Sequence, residues 1–174
     1  MKVRISGDAF AVILASGIEV YKREVLGFLI GEVKGNNIAI HNAVPAQSVE
    51  RKFTEVVPNE RTHRFKDTLA ELCTNGTKVV GDYHTHPLWG NRRYSASPSK
   101  FDLKGMRDEG GLVYLIISMR NKARNQPWYY RGDGRLVGSF NDYWFEFAAY
   151  YQNGNSQFNL AQIVCPSAIK RKNK

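Results

Sequence analysis

The chain has 174 residues, a length that suits one domain with a single substantial core. Its hydrophobic fraction of 43% excludes a disordered chain, because such a composition buries enough apolar surface to offset the entropy lost on folding. The net charge of +9 suggests acidic partners, but four of the positive residues lie in the last five positions. We therefore interpret the excess as solvated surface charge with a basic tail.

Two further features limit the class of protein. No apolar run approaches the roughly 18 residues that a membrane-spanning helix needs, and residues 1–7 lack the apolar stretch of a secretory signal. We therefore expect a soluble cytoplasmic protein with no membrane partner. The two cysteines, Cys73 and Cys165, lack metal-knuckle spacing, so any metal site has to use histidine and carboxylate ligands.

The first third of the chain predicts one helix and several strands. Apolar residues at helical spacing indicate a helix over residues 8–21, capped by Gly7 and Asp8. A turn at residues 35–37 joins two apolar runs and predicts a hairpin. The predicted strands are residues 2–5, 26–33, 38–44 and 49–57.

The rest of the chain alternates between segments with the apolar spacing of a helix and segments with the apolar pattern of a strand. Residues 59–75 and 99–110 predict helices, the first from an apolar stripe and a stop at Asn75 and Gly76. A polar loop is expected over residues 87–98, and the aromatic segment 143–151 is ambiguous. The predicted strands are residues 78–83 and 112–118, followed by a hairpin of 128–131 with 135–140.

This order of elements predicts an α/β fold, a single-domain mixed β-sheet sandwiched by helices. There is no internal repeat and no linker rich in proline, glycine or serine. We therefore expect one catalytic domain over residues 1–165 and a basic, flexible tail over residues 166–174.

Chemistry is concentrated near the end of one predicted strand. Residues two apart on a strand face the same side, so His84 and His86 can converge on one point, and Pro87 is expected to end the strand there. Two imidazoles and one carboxylate are a common ligand set for catalytic zinc, and Asp102 is the natural third ligand. The alternative is that the two histidines serve packing or surface roles.

Ser99 and Asp102 also have a structural interpretation. They occupy the N-cap and N3 positions of the predicted helix and resemble a capping box, with aspartate in place of the usual glutamate or glutamine. The two interpretations are compatible, because a helix start that fixes Asp102 also aims its carboxylate at a neighbouring strand end.

Three segments together resemble the JAMM/MPN+ (JAB domain) family of zinc metalloproteases, over roughly residues 8–120. That family includes deubiquitinase-like isopeptidases, and the resemblance implies its JAB/MPN, cytidine-deaminase-like architecture. The matching residues are Glu24, Gly27, Leu29 and Gly31 in the first segment, His84, His86 and Pro87 in the second, and Ser99 and Asp102 in the third.

The resemblance also implies an activity. His84, His86 and Asp102 would hold Zn²⁺, Glu24 would act as general base and then general acid, and Ser99 would help to stabilise the oxyanion. The implied reaction is hydrolysis of amide bonds at the C-terminus of ubiquitin-like or sulfur-carrier proteins, whose conjugates would be the partners.

One departure from the family concerns the loop between His86 and Asp102, which is longer than the family's usual spacing. Loops accept insertions at small entropic cost, so the ligand set is expected to survive. We expect the insertion to bring Trp89, Arg92 and Arg93 near the candidate metal site, where they are candidate substrate-binding residues. The alternative is that they only cover the surface.

Two other functions stay open at this point. The chain could be a non-catalytic MPN-type interaction scaffold, although such a scaffold has no need of the intact set of five polar residues. It could also be a RadC-like nucleic-acid-associated protein. No helix-turn-helix, zinc-finger or RNP-like string supports that hypothesis, so we do not expect nucleic acid as a partner.

Overall fold

The computed structural model describes residues 1–51, 56–88, 95–121, 124–153 and 157–170. The strands within these residues are β1 (Lys2–Ile5), β2 (Leu26–Lys34), β3 (Asn37–Pro45), β4 (Glu50–Arg51), β5 (Val56–Val57), β6 (Lys78–Leu88), β7 (Val113–Asn121), β8 (Tyr129–Tyr130), β9 (Leu136–Phe140), β10 (Tyr143–Gln152) and β11 (Phe158–Val164). The helices are α1 (Gly7–Glu19), α2 (Glu60–Leu72), α3 (Lys100–Glu109) and α4 (Pro166–Ile169).

Nine strands form one mixed sheet in the order β11-β1-β3-β2-β6-β7-β10-β9-β8. β1 runs parallel to β11 and β3, β6 runs parallel to β7, and the other pairs are antiparallel. β11 also pairs with β10, so the sheet closes on itself like a barrel. The α/β single-domain class with a mixed sheet is confirmed, whereas the sheet expected as a layer sandwiched by helices is closed like a barrel.

The ambiguous aromatic segment 143–151 explains the closure. It forms β10, which pairs with β7, β9 and β11. Its side chains are buried on both faces from Phe145 to Tyr150, and this hides the alternation by which a strand is normally recognised. The closure therefore depends on the one segment whose secondary structure the sequence left undecided.

α1 packs against one face of the sheet and completes the largest hydrophobic cluster. Phe10, Ile13 and Leu14 of this helix are fully buried there, among residues from most of the strands. The N-cap of the helix is Ser6, one residue before the predicted cap, and the Ser6 hydroxyl accepts a hydrogen bond of 3.1 Å from the Ala9 amide.

α2 and α3 lie on the other face, each over its own small apolar cluster. Leu69 of α2 packs with Leu26 and Phe28 of β2. Met106 of α3 packs with residues of β7 and β10, including Tyr114. β6 runs between the two clusters, so its outward side chains lie on the floor of the space that the helices leave between them.

β6 is longer than predicted, because Pro87 does not end it. The strand continues to Leu88 and pairs with β7 from Gly81 to Leu88. Thr85 donates its amide to Val25 on the β2 side, so by alternation the nitrogen of Pro87 faces the same side, where β2 has ended. A proline is tolerated at such a position because no ladder hydrogen bond is lost.

Two other predictions need correction, the single strand over residues 49–57 and the tail over residues 166–174. Residues 49–57 form not one strand but the short strands β4 and β5, which pair with each other in a separate sheet. Consecutive charged residues at 50–52 interrupt the apolar alternation, so this segment has no continuous face to bury.

The predicted tail over residues 166–174 begins with the short helix α4. Ala168 of this helix is buried, and the Cys165 amide before it donates to the Tyr130 hydroxyl at 2.8 Å. The start of the segment is therefore packed, and residues 171–174 lie outside the described part of the chain. Within the described residues, no helix combines the length and apolar character needed to cross a membrane.

Candidate metal centre and groove

The side chains of His84 and His86 lie on the same face of β6, and their Nε2 atoms are 3.1 Å apart. Asp102, in the first turn of α3, contacts both imidazoles. Its Oδ1 lies 3.3 Å from Nε2 of His84, and its Oδ2 lies 3.4 Å from Nε2 of His86. The three side chains form a compact group that could hold a metal ion.

The donor atoms of this cluster lie close enough together to hold a zinc ion. With zinc–ligand bonds of about 2.0–2.1 Å, the ligand atoms of a tetrahedral site lie about 3.3–3.4 Å apart. The two Nε2 atoms are 3.1 Å apart, and each lies near a different carboxylate oxygen of Asp102, at 3.3 Å for His84 and 3.4 Å for His86. With one donor atom taken from each residue, all three atoms lie within 4.8 Å of one another. A nitrogen, nitrogen and carboxylate set also has the chemistry that zinc prefers.

The capping box predicted for α3 is confirmed. The Ser99 hydroxyl oxygen accepts a hydrogen bond of 3.1 Å from the Asp102 amide, and the Ser99 amide donates to Oδ2 of Asp102 at 2.6 Å. The cap therefore holds the carboxylate that faces the histidines. It uses a lone pair of the Ser99 hydroxyl oxygen, which leaves the hydroxyl proton for donation to another group.

Thr85, the residue between the two histidines, fixes the entry to β2. Its side chain points to the opposite face and is fully buried, and its hydroxyl accepts a hydrogen bond of 2.9 Å from the Val25 amide. The Thr85 amide donates back to the Val25 carbonyl at 3.0 Å. Glu24, next in the chain, is thereby held beside the histidines and lines the same groove.

His86 has a second contact that orients its ring. Its Nδ1 lies 3.1 Å from the carbonyl oxygen of Ser95, and because a carbonyl only accepts hydrogen bonds, Nδ1 is the donor. This fixes the tautomer and leaves the Nε2 lone pair directed at the cluster, an arrangement typical of metal-ligating histidines.

Burial and the mutual contacts shift the pKa values of the cluster. Burial is the largest influence on each group, and it lowers the pKa of His84. In Asp102, hydrogen bonds from both histidines outweigh burial and hold the pKa well below its usual range. In His86, burial is outweighed by the hydrogen bond to Asp102 together with the Asp102 charge, the Ser95 carbonyl and the Glu24 charge, so its pKa is raised. The proton that the cluster takes up most readily therefore resides on His86.

The cluster lies in a groove of about 430 Å³ between α2 and α3. Apolar side chains, including Leu26, Phe28 and Met106, form much of its wall. Asp82 also lines it, and burial raises the pKa of this carboxyl to about 7.

The sequence reasoning missed Thr85 and Asp82. The signal for Asp82 was a single carboxylate within an otherwise apolar strand, and Thr85 was marked by its place between the two histidines. The three residues predicted to bind substrate, Trp89, Arg92 and Arg93, lie outside the described residues.

The fold and the cluster define an α/β domain with a candidate metal centre in an open groove. The family model for prokaryotic homologues of the JAB domain matches residues 7–129, well over half of the chain, and the chain belongs to this family.

Two curated relatives carry the same description. The chain is 32% identical to the Lys-63-specific deubiquitinase BRCC36 of Xenopus tropicalis over 131 residues, and 31% identical to that of Xenopus laevis. Each match covers 71% of this chain and 49% of the relative. The chain therefore spans about half the length of these relatives, with which it shares one region.

A solved structure supports the fold. The solution structure of protein DSY2949 from Desulfitobacterium hafniense superimposes with a TM-score of 0.60 at 16% identity. The superposition covers 94% of this chain and 92% of that one. At this level of identity the likeness concerns the fold alone.

Proposed function

We propose that the protein is a zinc-dependent isopeptidase that hydrolyses amide bonds at the C-terminus of ubiquitin-like or sulfur-carrier proteins. The observation that carries the proposal is the convergence of His84, His86 and Asp102, with the two Nε2 atoms 3.1 Å apart and each within 3.4 Å of a carboxylate oxygen of Asp102. Family membership and the deubiquitinase activity named for the curated relatives support the hydrolase class and favour a ubiquitin-like partner.

In this proposal, His84, His86 and Asp102 hold the zinc ion. Zinc, when bound, supplies Lewis acidity toward the amide carbonyl and toward water. Three protein ligands leave a fourth position open, as in catalytic rather than structural zinc sites.

Glu24 is the proposed general base and acid. The Val25–Thr85 hydrogen bonds hold it close to the histidines, and its negative charge contributes to the raised pKa of His86. A carboxylate at this place can accept a proton from the attacking water and return it to the leaving amine. Glu32, another carboxylate of the same region, is bound to Lys34 at 2.7 Å and to His41 at 3.0 Å, so it is occupied elsewhere.

Ser99 is the proposed oxyanion donor. Its hydroxyl lies at the start of α3, next to the cluster, and its orientation is set by the capping box. A donor fixed before the reaction starts stabilises developing negative charge without reorganisation.

The test combines a zinc assay with hydrolysis. Purified protein is expected to hold about one zinc and to cleave ubiquitin chains of the linkage named for the curated relatives, or a sulfur-carrier protein amidated at its C-terminus. Glu24→Gln is expected to lose hydrolysis and keep zinc, and Glu32→Gln is the matched control that keeps both. Protein that binds no zinc under non-chelating conditions, or full activity of the Glu24 variant, would contradict the proposal and favour the scaffold hypothesis.

A further inference from the structure

Asp82 lies on the floor of the groove, two residues before His84 on β6. Strand alternation puts its side chain on the same face as the two histidines. In the sheet register it lies opposite Phe28 on β2 and Tyr114 on β7, and both aromatic residues line the groove. Residues opposite one another on neighbouring strands share a face, so the carboxylate lies between two aromatic side chains.

Other carboxylates along the groove have partners within the protein. Asp108 is paired with Lys104 at 2.8 Å, and Glu109 with Lys66 at 2.6 Å. Asp102 contacts both histidines. The side chain of Asp82, by contrast, makes no hydrogen bond or ion pair with any residue in the described part of the chain.

The hydroxyl of the neighbouring Tyr114 cannot be the hydrogen-bond partner of the Asp82 carboxylate. The Tyr114 hydroxyl donates to the Met106 carbonyl and accepts a hydrogen bond of 2.6 Å from the Gly111 amide. Its one proton is therefore already used. Aromatic side chains flank the Asp82 carboxyl, and the charged groups that act on it are Lys66, which is itself paired with Glu109, and the carboxylates of Glu109 and Asp102. A cation that enters the groove would supply the partner that this carboxyl lacks.

We propose that Asp82 binds a positively charged side chain, arginine or lysine, of the polypeptide substrate. This inference rests on the proposed function and specifies which substrates that site prefers. A carboxylate between aromatic rings suits a guanidinium or ammonium group, which combines a charge-assisted hydrogen bond with contact to the ring faces.

The charges of the groove agree with such a ligand. Five carboxylates line it against one lysine, although the chain as a whole carries +9. The groove is thus a locally acidic site on a basic protein, and low-dielectric walls strengthen its attraction for cations.

The position of Asp82 also limits where the charged residue lies in the substrate. Two residues along a strand span about 7 Å, so Asp82 lies about that far from His84 along β6. An extended substrate advances by a similar distance in two residues. We therefore expect the positive residue within about two positions of the scissile amide.

The test measures binding of defined peptides. The probes are fluorescent alanine–glycine hexapeptides in which one position in turn carries arginine, its neutral isostere citrulline, or glutamate. Zinc-loaded Glu24→Gln protein prevents turnover, and fluorescence anisotropy reports affinity. We expect arginine to bind about tenfold more tightly than citrulline at one position or two adjacent positions, and glutamate to bind more weakly than both.

Two further substitutions, each made in the Glu24→Gln protein, show which carboxylate causes the preference for arginine over citrulline. Asp82→Asn should remove the preference for arginine over citrulline, while Asp108→Asn, which neutralises a paired carboxylate of the same groove, should retain it. Equal loss in both variants would indicate general electrostatic attraction and overturn the inference. The same conclusion follows if arginine and citrulline bind alike, or if no peptide binds.

Two further measurements distinguish failure of the Asp82 inference from misfolding of the variant and from failure of the proposed function. Thermal melting checks that the Asp82→Asn protein is folded, and the arginine–citrulline comparison on protein with native Asp82 needs no variant at this position. If native protein cleaves no conjugate but prefers arginine through Asp82, the proposed function fails and the binding site stands. If it cleaves conjugates without such a preference, only the inference about Asp82 fails.

Discussion

The hydroxyl of Tyr150, on β10, donates a hydrogen bond of 3.0 Å to the carbonyl of Ala96, 54 residues earlier in the chain. Ala96 is fully buried and directly follows Ser95, whose carbonyl orients the His86 ring. Arg135 reaches the next residue, with its Nη2 3.4 Å from the Ser97 hydroxyl. Tyr150 on β10 and Arg135, which directly precedes β9, thus hold the segment that connects Ser95 to the start of α3.

We expect Tyr150→Phe to weaken this support. The substitution leaves the buried Ala96 carbonyl without its donor, and the free energy of unfolding should fall by about 1–3 kcal/mol. Zinc affinity should fall about tenfold, because the Ser95 carbonyl no longer has a fixed position from which to orient His86. Denaturant unfolding and competition with a zinc chelator measure the two effects. Tyr151→Phe, on the neighbouring residue of β10, is the control that should leave zinc affinity unchanged.

The Asp102→Asn substitution separates the helix-capping role of this side chain from its proposed metal-binding role. Asparagine keeps an oxygen that can accept from the Ser99 amide, so the helical signal in circular dichroism should be retained. It lacks the negative charge of the ligand, and zinc affinity should fall by more than about 100-fold, beyond the loss typical of supporting residues. Asp108→Asn on the same helix should bind zinc normally. Normal zinc content in the Asp102 variant would remove this residue from the ligand set.

Ser99→Ala and Ser99→Gly distinguish capping from chemistry. Alanine at the N-cap should lower the free energy of unfolding by about 0.5–2 kcal/mol, and glycine by only a few tenths. Both variants lack the hydroxyl, so both should lower kcat/KM by about 100-fold if Ser99 is an oxyanion donor. Parallel thermal melts and kinetics measure the two effects. An activity loss that follows stability would assign Ser99 a capping role only.

Zinc binding should weaken as the pH falls, starting at a higher pH than for an ordinary imidazole. Zinc requires neutral imidazole, and the raised pKa of His86 means that this ring takes up its proton at a higher pH than a free imidazole. Asp102 has a lowered pKa and stays ionised in mild acid, so it adds no pH dependence there. Below the His86 pKa, affinity should fall about tenfold per pH unit for the one proton displaced. His41→Gln should follow the same curve, and constant affinity from about pH 8 to pH 6 would contradict the prediction.

The sequence was sufficient for the local features that bear on the site. The capping box at Ser99 was predictable because its residue types and spacing act within one helical turn. The convergence of His84 and His86 was predictable because alternation is a property of any strand. The hairpin of β2 and β3 followed in the same way from its turn residues.

The remaining features depend on contacts between distant segments. The closure of the sheet requires β10 to pair with three strands, and no local pattern specifies such partners. The extension of β6 beyond Pro87 depends on β2 ending at that point. The isolation of Asp82 is visible only once the partners of the other groove carboxylates are known.

The double use of Asp102 has a consequence for how relatives of this chain are judged. Its carboxylate stabilises the start of α3 whether or not a metal is bound, so a lineage that abandoned catalysis would still benefit from keeping it. His84 and His86 lie on a strand and do not cap a helix. A retained aspartate is therefore weak evidence of activity in a divergent homologue, and the histidine pair is the better diagnostic.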